Sequence, residues 1–269
     1  MLYLKSVYFI RSGKPLLNNI DWRVRRGENW VLFGKNGSGK TLLLSMIVGY
    51  LHPSRGDIYR FGKYPYGYDL REIRKKIGYI GTPLKGMVDN FLSISILDVV
   101  LSGYFATIGL YESVSKEMKD NALQLIDRIG MSERINEPFK YLSDGEKQKI
   151  LILRAVIGKP KILVFDEPAV GLDLPSREDL LSLIEDLAEG SVINDGKEMS
   201  IIYTTHNTEE IVGIFNRILI LDSGRIFFKG NIEDGLTSEN LSELFKRNVR
   251  IFKFNNRYFT LIGGEDVRK

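Results

Sequence analysis

The sequence predicts an α/β fold built around a parallel, helix-covered sheet, and three observations carry that prediction. From Lys147 onward, after an opening helix, the chain alternates strand Ile162–Phe165, helix Arg177–Leu187, strand Ser200–Thr204, helix Glu209–Phe215 and strand Arg217–Leu221. Such alternation encodes a parallel sheet with crossover helices. The second observation is a glycine loop, Gly34-Lys35-Asn36-Gly37-Ser38-Gly39-Lys40-Thr41, set between the apolar runs Trp30–Phe33 and Leu42–Leu44. Strand, glycine loop and helix in that order make a P-loop. The third is an apolar strand that ends abruptly on acid, Ile162-Leu163-Val164-Phe165-Asp166-Glu167-Pro168.

Taken in order, Tyr3–Ile10 and Ile20–Val24 alternate in the manner of strands, and Arg26-Gly27-Glu28 is a turn between strands. The helix begun at Lys40-Thr41 runs to the breaker cluster His52-Pro53-Ser54-Arg55-Gly56. Residues from about Ile94 to Arg134 read as mainly helical, interrupted at Gly103 and Gly109. Within them Leu123, Ile126 and Ile129 mark an apolar stripe that Gly130 closes. In the tail, Val249–Phe254 and Arg257–Ile262 flank Asn255-Asn256, a hairpin signal.

The chain has 269 residues, an ordinary apolar fraction and a net charge of +4. That length allows one large domain or two small ones. With no cysteine, disulfides, thiolate metal sites and cysteine nucleophiles are excluded. No apolar stretch reaches the roughly 18 residues that span a bilayer, and the start lacks the pattern of a signal peptide. The densest basic patch, Arg71 to Lys76, reads as a solvated helix face, so no nucleic-acid partner is implied.

A phosphate chain needs backbone N–H groups aimed at it, and glycines let the backbone come close and turn. The positive end of the helix starting at Lys40 adds to that attraction. Lys40 is the residue to reach the β- and γ-phosphates, and the Thr41 hydroxyl the one to ligate Mg²⁺. At the end of the acidic strand, Asp166 suits the metal side. Glu167, on the opposite side by strand alternation, suits the water that attacks the γ-phosphate. The segment Tyr141 to Lys149 precedes an apolar helix, and Ser143 with Glu146 three residues on reads as a capping box.

Leu142-Ser143-Asp144-Gly145-Glu146 resembles the Leu-Ser-Gly-Gly-Gln signature of the ATP-binding cassette (ABC) ATPases. The order of the other motifs matches too: the P-loop before it, then the acidic strand, Gly171-Leu172-Asp173 and Thr205-His206. The resemblance runs from about Leu2 to Ile232. It implies a P-loop NTPase core with a parallel sheet, an N-terminal antiparallel β subdomain and a helical signature subdomain. The cassette would occupy 1–240, with the helical subdomain at about 83–158, and 248–269 would be a C-terminal hairpin extension.

The resemblance also implies roles. Gly34, Lys35, Asn36, Gly37, Ser38, Gly39, Lys40 and Thr41 would bind ATP, with Mg²⁺ held by Thr41 and Asp166. Glu167 would be the catalytic base, and His206 would contact the γ-phosphate. Ser143, Asp144, Gly145 and Glu146 would meet ATP bound to a second cassette, and Asp173 would cross the dimer interface. Besides the signature, which has Asp144 at its third position and Glu146 at its fifth, two positions depart from the family pattern. Thr82 stands where a glutamine is usual, and Arg11 stands near the place of the aromatic residue that stacks on adenine. The expected partners are a second cassette, in a homodimer or heterodimer, and separate membrane-spanning permease subunits. Their apolar contact falls on the segment from Thr82 to Leu110, with Phe91, Leu92, Ile94, Ile96 and Leu97, on the cytoplasmic face of the membrane. The alternative is a soluble single-cassette ATPase with a soluble partner, of iron–sulfur assembly or regulatory type.

Overall fold

The computed structural model describes residues 1–63, 67, 69–81, 93–106, 113–190 and 199–263. They fall into two compact units, one made of 1–66 and 202–269, the other of 67–201.

In the first unit, strands β1 (Leu2–Arg11), β2 (Lys14–Val24) and β4 (Arg55–Arg60) form an antiparallel sheet in the order β2-β1-β4. Their alternation buries Leu2, Leu4, Val7, Leu17, Ile20 and Trp22. Strand β3 (Trp30–Gly34) is buried throughout. It pairs in parallel with β7 (Ser200–Thr205), Trp30 opposite Ile202 and Phe33 opposite Thr205. On its other edge it pairs in parallel with β8 (Arg217–Asp222), to which β9 (Arg225–Asn231) adds antiparallel. A strand hydrogen-bonded on both edges and covered on both faces reads as an unbroken apolar run, as Trp30–Phe33 does.

Helix α1 (Lys40–Val48) follows β3. Its last carbonyls are held by a buried cation. Arg60 Nε donates to the Ile47 carbonyl at 2.7 Å, and Nη2 donates to the Met46 carbonyl. A guanidinium at a helix C-terminus satisfies orphan carbonyls and complements the dipole.

The second unit pairs β5 (Ile77–Ile80) with β6 (Ile162–Asp166) in parallel, Ile77 opposite Ile162. Helix α2 (Leu70–Arg74) precedes β5. Helices α3 (Ile96–Leu101), α4 (Lys116–Arg128) and α5 (Asp144–Val156) share one apolar core that includes Val99, Val100, Ile126, Phe139, Ile150 and Leu153. Burial of each of these side chains is worth about 1.5–3 kcal/mol. Helix α6 (Leu174–Ala188) follows β6. Among the described residues, no helix is long and apolar enough to cross a membrane.

The tail hairpin forms as expected: β10 (Val249–Phe254) pairs antiparallel with β11 (Arg257–Ile262), Phe252 opposite Phe259. Helices α7 (Ile232–Gly235) and α8 (Ser238–Phe245) lie between β9 and β10 in the chain. One expected helix is absent. Glu209–Phe215 holds only a 3₁₀ turn at Thr208–Glu210, and Ile211 is extended. Asn207 caps this turn, its Oδ1 accepting from the Glu209 N–H at 3.1 Å. Tertiary contacts override the local helical pattern: the buried Glu210 accepts from the Tyr203 hydroxyl at 3.0 Å, and Thr208 Oγ1 lies 3.3 Å from Thr260 Oγ1.

Helix α5 begins at a complete capping box. Ser143 Oγ accepts from the Glu146 N–H at 3.3 Å, and Glu146 Oε2 accepts from the Ser143 N–H at 2.8 Å. The other oxygen, Glu146 Oε1, accepts from Arg134 Nη1. Arg134 also donates from Nε to Glu137 Oε2 at 2.6 Å and from Nη2 to Glu137 Oε1 at 3.1 Å. Burial pushes the Glu146 carboxyl up, but the bonds from Ser143 and Arg134 outweigh it and leave its pKa lowered. The bonds from Arg134 hold the Glu137 carboxyl down, and those to Glu137 first and Glu146 second raise Arg134.

Two outcomes follow from these contacts. A Cβ at Gly103 would lie 1.9 Å from the Arg154 carbonyl oxygen, whereas one at Gly158 meets nothing closer than 3.4 Å. Gly103→Ala should therefore destabilise the chain by about 1–3 kcal/mol in urea unfolding, with a clearly smaller cost for Gly158→Ala. For Glu146, the folded-state pKa is depressed. Its contribution is whole above the unfolded value of about 4.3 and fades as pH falls through the folded value. The stability gap between the parent and Glu146→Gln, measured by urea unfolding between pH 7 and 3, should be constant at the upper end and close at the lower.

Candidate functional site

The glycine loop is shaped by what it rests on. Gly39, with a φ of 106°, is the N-cap of helix α1, and among the described residues no side chain caps that end. A Cβ at Gly39 would come within 2.7 Å of Leu17 Cδ2 in β2. The β8–β9 turn supports the same place. The Gly224 N–H donates to the Ser38 carbonyl at 3.0 Å, and a Cβ at Gly224 would sit 2.3 Å from the Leu16 carbonyl oxygen. The backbone is therefore packed too tightly for side chains at these points.

Lys40 is buried, and its Nζ donates to the Gly34 carbonyl at 2.8 Å and the Lys35 carbonyl at 3.1 Å. The ammonium thus gathers carbonyls that would repel an anion. Ser38 Oγ is also buried, without a hydrogen-bond partner among the described residues. An uncapped helix start, a buried ammonium and an orphaned hydroxyl within eight residues form a cradle that fits a phosphate group. Thr41 is exposed in the first turn of α1.

His206 directly follows β7. The register that sets Thr205 opposite Phe33 brings it out level with Gly34. Arg11 is exposed at the tip of the β1–β2 hairpin, where it pairs with Lys14.

In the second unit Asp166 is the last residue of β6 and is buried. Tyr79 donates its hydroxyl to Asp166 Oδ2 at 3.1 Å. Gly81 lies against the same pair of side chains, where an added Cβ would come 2.5 Å from Asp166 Cβ and 2.7 Å from the Tyr79 hydroxyl. Glu167 corrects an expectation: strand alternation does not set its direction. The strand has already ended, and Glu167 adopts a left-handed φ of 51°. Such a backbone is uncommon for a non-glycine residue and clusters at functional sites.

The Ser143-to-Glu146 segment and Asp173 meet at one residue, Ser176. A Cβ at Gly145 would approach Ser176 Oγ to 2.9 Å, and the Ser176 N–H donates to Asp173 Oδ1 at 3.0 Å. Asp173 caps α6, and the bonds from Ser176 hold its carboxyl below the usual range. Val170 and Leu174, on either side of Asp173, are exposed apolar residues. Thr82, Phe91 and Leu92 lie outside the described residues. Ile94 flanks the helical core, and Ile96 and Leu97 are buried within it.

Sequence reasoning missed Tyr79, Ser176 and Arg134. Tyr79 carried a signal, being a lone hydroxyl in a buried strand, since a buried tyrosine hydroxyl needs a partner. Ser176 and Arg134 carried none, because their partners are set by tertiary packing.

Comparison with known proteins accords with this geometry. The family model described as ABC transporter matches residues 17–170. The ABC transporter ATP-binding protein YlmA of Bacillus subtilis (strain 168), itself uncharacterized, is 38% identical over 263 residues, covering 96% of each chain. The manganese transport system ATP-binding protein MntB of the same organism is 30% identical over 250 residues, covering 93% of this chain and 94% of MntB. Among solved structures, a chain of an ABC transporter in an inward-facing conformation is 26% identical and aligns over 98% of both chains with a TM-score of 0.75. These whole-length matches favour the transporter reading over a soluble-partner ATPase. With the glycine cradle, the acidic strand end and the capped Leu-Ser-Asp-Gly-Glu helix in place, the chain belongs to the ABC transporter family.

Proposed function

We propose that this chain supplies the energy of an ABC transporter by binding ATP on the Gly34–Thr41 loop and hydrolysing it, in a dimer of cassettes docked on membrane permease subunits. The observation that carries the reading is the loop itself, with Lys40 buried and holding two carbonyls while the start of α1 is left uncapped. The loop N–H groups would bind the phosphates, Lys40 would neutralise their charge, and Ser38 Oγ would find its missing partner there.

Among the described residues no cluster of three or more His, Cys, Asp or Glu could hold a metal ion alone. Mg²⁺ is ordinarily bound through one or two protein oxygens together with substrate phosphates. Thr41 and Asp166 are the donors assigned to it, and when bound it would neutralise charge on the phosphates. Tyr79 would keep the Asp166 carboxylate oriented. Glu167 would accept a proton from the attacking water, and His206 would contact the γ-phosphate. Ser143, Asp144, Gly145 and Glu146 would face ATP on the second cassette, with Asp173 at the interface between the two. On this reading the cassette spans 1–240, its helical part is at about 83–158, and 248–269 is an extension.

Glu167→Gln should keep ATP affinity and lose steady-state phosphate release by roughly 100-fold or more. Lys40→Ala should instead weaken ATP binding itself, measured by calorimetry with magnesium present. Parent-rate hydrolysis by Glu167→Gln would overturn the base assignment. Arg11, if it stacks on the base through its guanidinium, should show in Arg11→Ala as weaker ATP binding and a changed ATP-to-GTP preference. Unchanged affinity for both nucleotides would remove Arg11 from the site.

A further inference from the structure

The start of α5 carries two carboxylates, Asp144 and Glu146, where the Leu-Ser-Gly-Gly-Gln pattern has neutral residues. This is an electrostatic problem for any helix end that must receive a phosphate. The dipole supplies roughly half a positive charge, and two first-turn carboxylates overwhelm it. The capping box worsens the conflict, because Glu146 must reach back to the Ser143 N–H and so brings its charge to the mouth of the helix.

Each carboxylate has a cation. Lys147 Nζ lies 3.5 Å from Asp144 Oδ1, and Arg134 donates from Nη1 to Glu146 Oε1. The two pairs are built differently. Asp144 is largely exposed and Lys147 sits one turn along the same helix, so that pair is loose and screened. Arg134 comes from the separate 3₁₀ turn Ser132–Arg134. Its guanidinium is fixed from the far edge by two bonds to Glu137. With Ser143 and Arg134 each taking one oxygen, both oxygens of Glu146 are engaged within the chain. A planar fork shared between two carboxylates is a geometry that lysine cannot reproduce.

We propose that Arg134 is a positioning residue for the nucleotide-sandwich step: it neutralises Glu146 and turns its carboxylate aside, so that the α5 N-terminus can accept the γ-phosphate of ATP held by the second cassette. This inference rests on the reading that Ser143 to Glu146 act across a cassette dimer. It adds a residue outside the motif, made necessary by the Glu146 variant.

The test uses the full-length chain carrying Glu167→Gln, with ATP and magnesium, and reads dimer formation by light scattering. Own-site nucleotide affinity is read separately with a fluorescent ATP analogue. Arg134→Ala should raise the ATP concentration needed for dimerisation roughly tenfold and leave own-site affinity unchanged. Arg134→Lys, which keeps the charge but loses the fork, should fall between the parent and Arg134→Ala. In a Glu146→Gln background, Arg134→Ala should cost nothing further.

An equal loss in both backgrounds would make Arg134 a structural residue and overturn the proposal, as would no loss at all. Weakened own-site affinity would also overturn it. A Glu167→Gln chain that binds the analogue but never dimerises would sink the cassette-dimer reading itself, and this proposal with it.

Discussion

A loop that offers N–H groups to an anion must dispose of its own carbonyls, and here one ammonium does so. Lys40 Nζ collects the carbonyls of Gly34 and Lys35, which leaves the concave side of the loop electropositive. The lysine can be buried because those carbonyls and the strand end surround it. The loop in turn keeps its curvature because Leu16, Leu17 and Gly224 press on its back. The antiparallel sheet, the central strand β3 and the β8–β9 turn thus converge on a few ångströms of backbone.

Much of this was legible in the residues. The run Trp30–Phe33 marked a doubly covered strand, and the strand ending on Asp166 appeared where expected. The tail hairpin matched to the residue, because Asn255 and Asn256 both accept the left-handed conformation that its turn requires. Other features could not be read this way. Glu209–Phe215 has a plausible helical pattern, but the contacts of Glu210 with Tyr203 and of Thr208 with Thr260 lie outside it and hold a single turn there. Alternation could not orient Glu167, because it holds only while a strand lasts. Tyr79 on Asp166, and Ser176 between Gly145 and Asp173, are meetings of segments distant in sequence that no local pattern encodes.

The helix beginning at Asp144 illustrates how a motif variant alters its surroundings. A glutamine at position 146 would cap the helix equally well and bring no charge. The glutamate caps it but needs a cation, and that cation needs its own orientation. The cost of one changed residue is therefore spread over Ser143, Arg134 and Glu137. Networks of this kind respond as a unit rather than residue by residue.

The interleaving of the two units along the chain has a consequence for how the protein is made. Residues 67–201 are contiguous and can collapse as they leave the ribosome. Strand β3 emerges early, yet its parallel neighbours are supplied only by residues 202–205 and 217–221. The phosphate cradle must wait, unpaired and apolar at its base, for some 170 residues of further translation. That interval is when a nascent chain of this design is most open to chaperone capture or to association with its neighbours on a polysome.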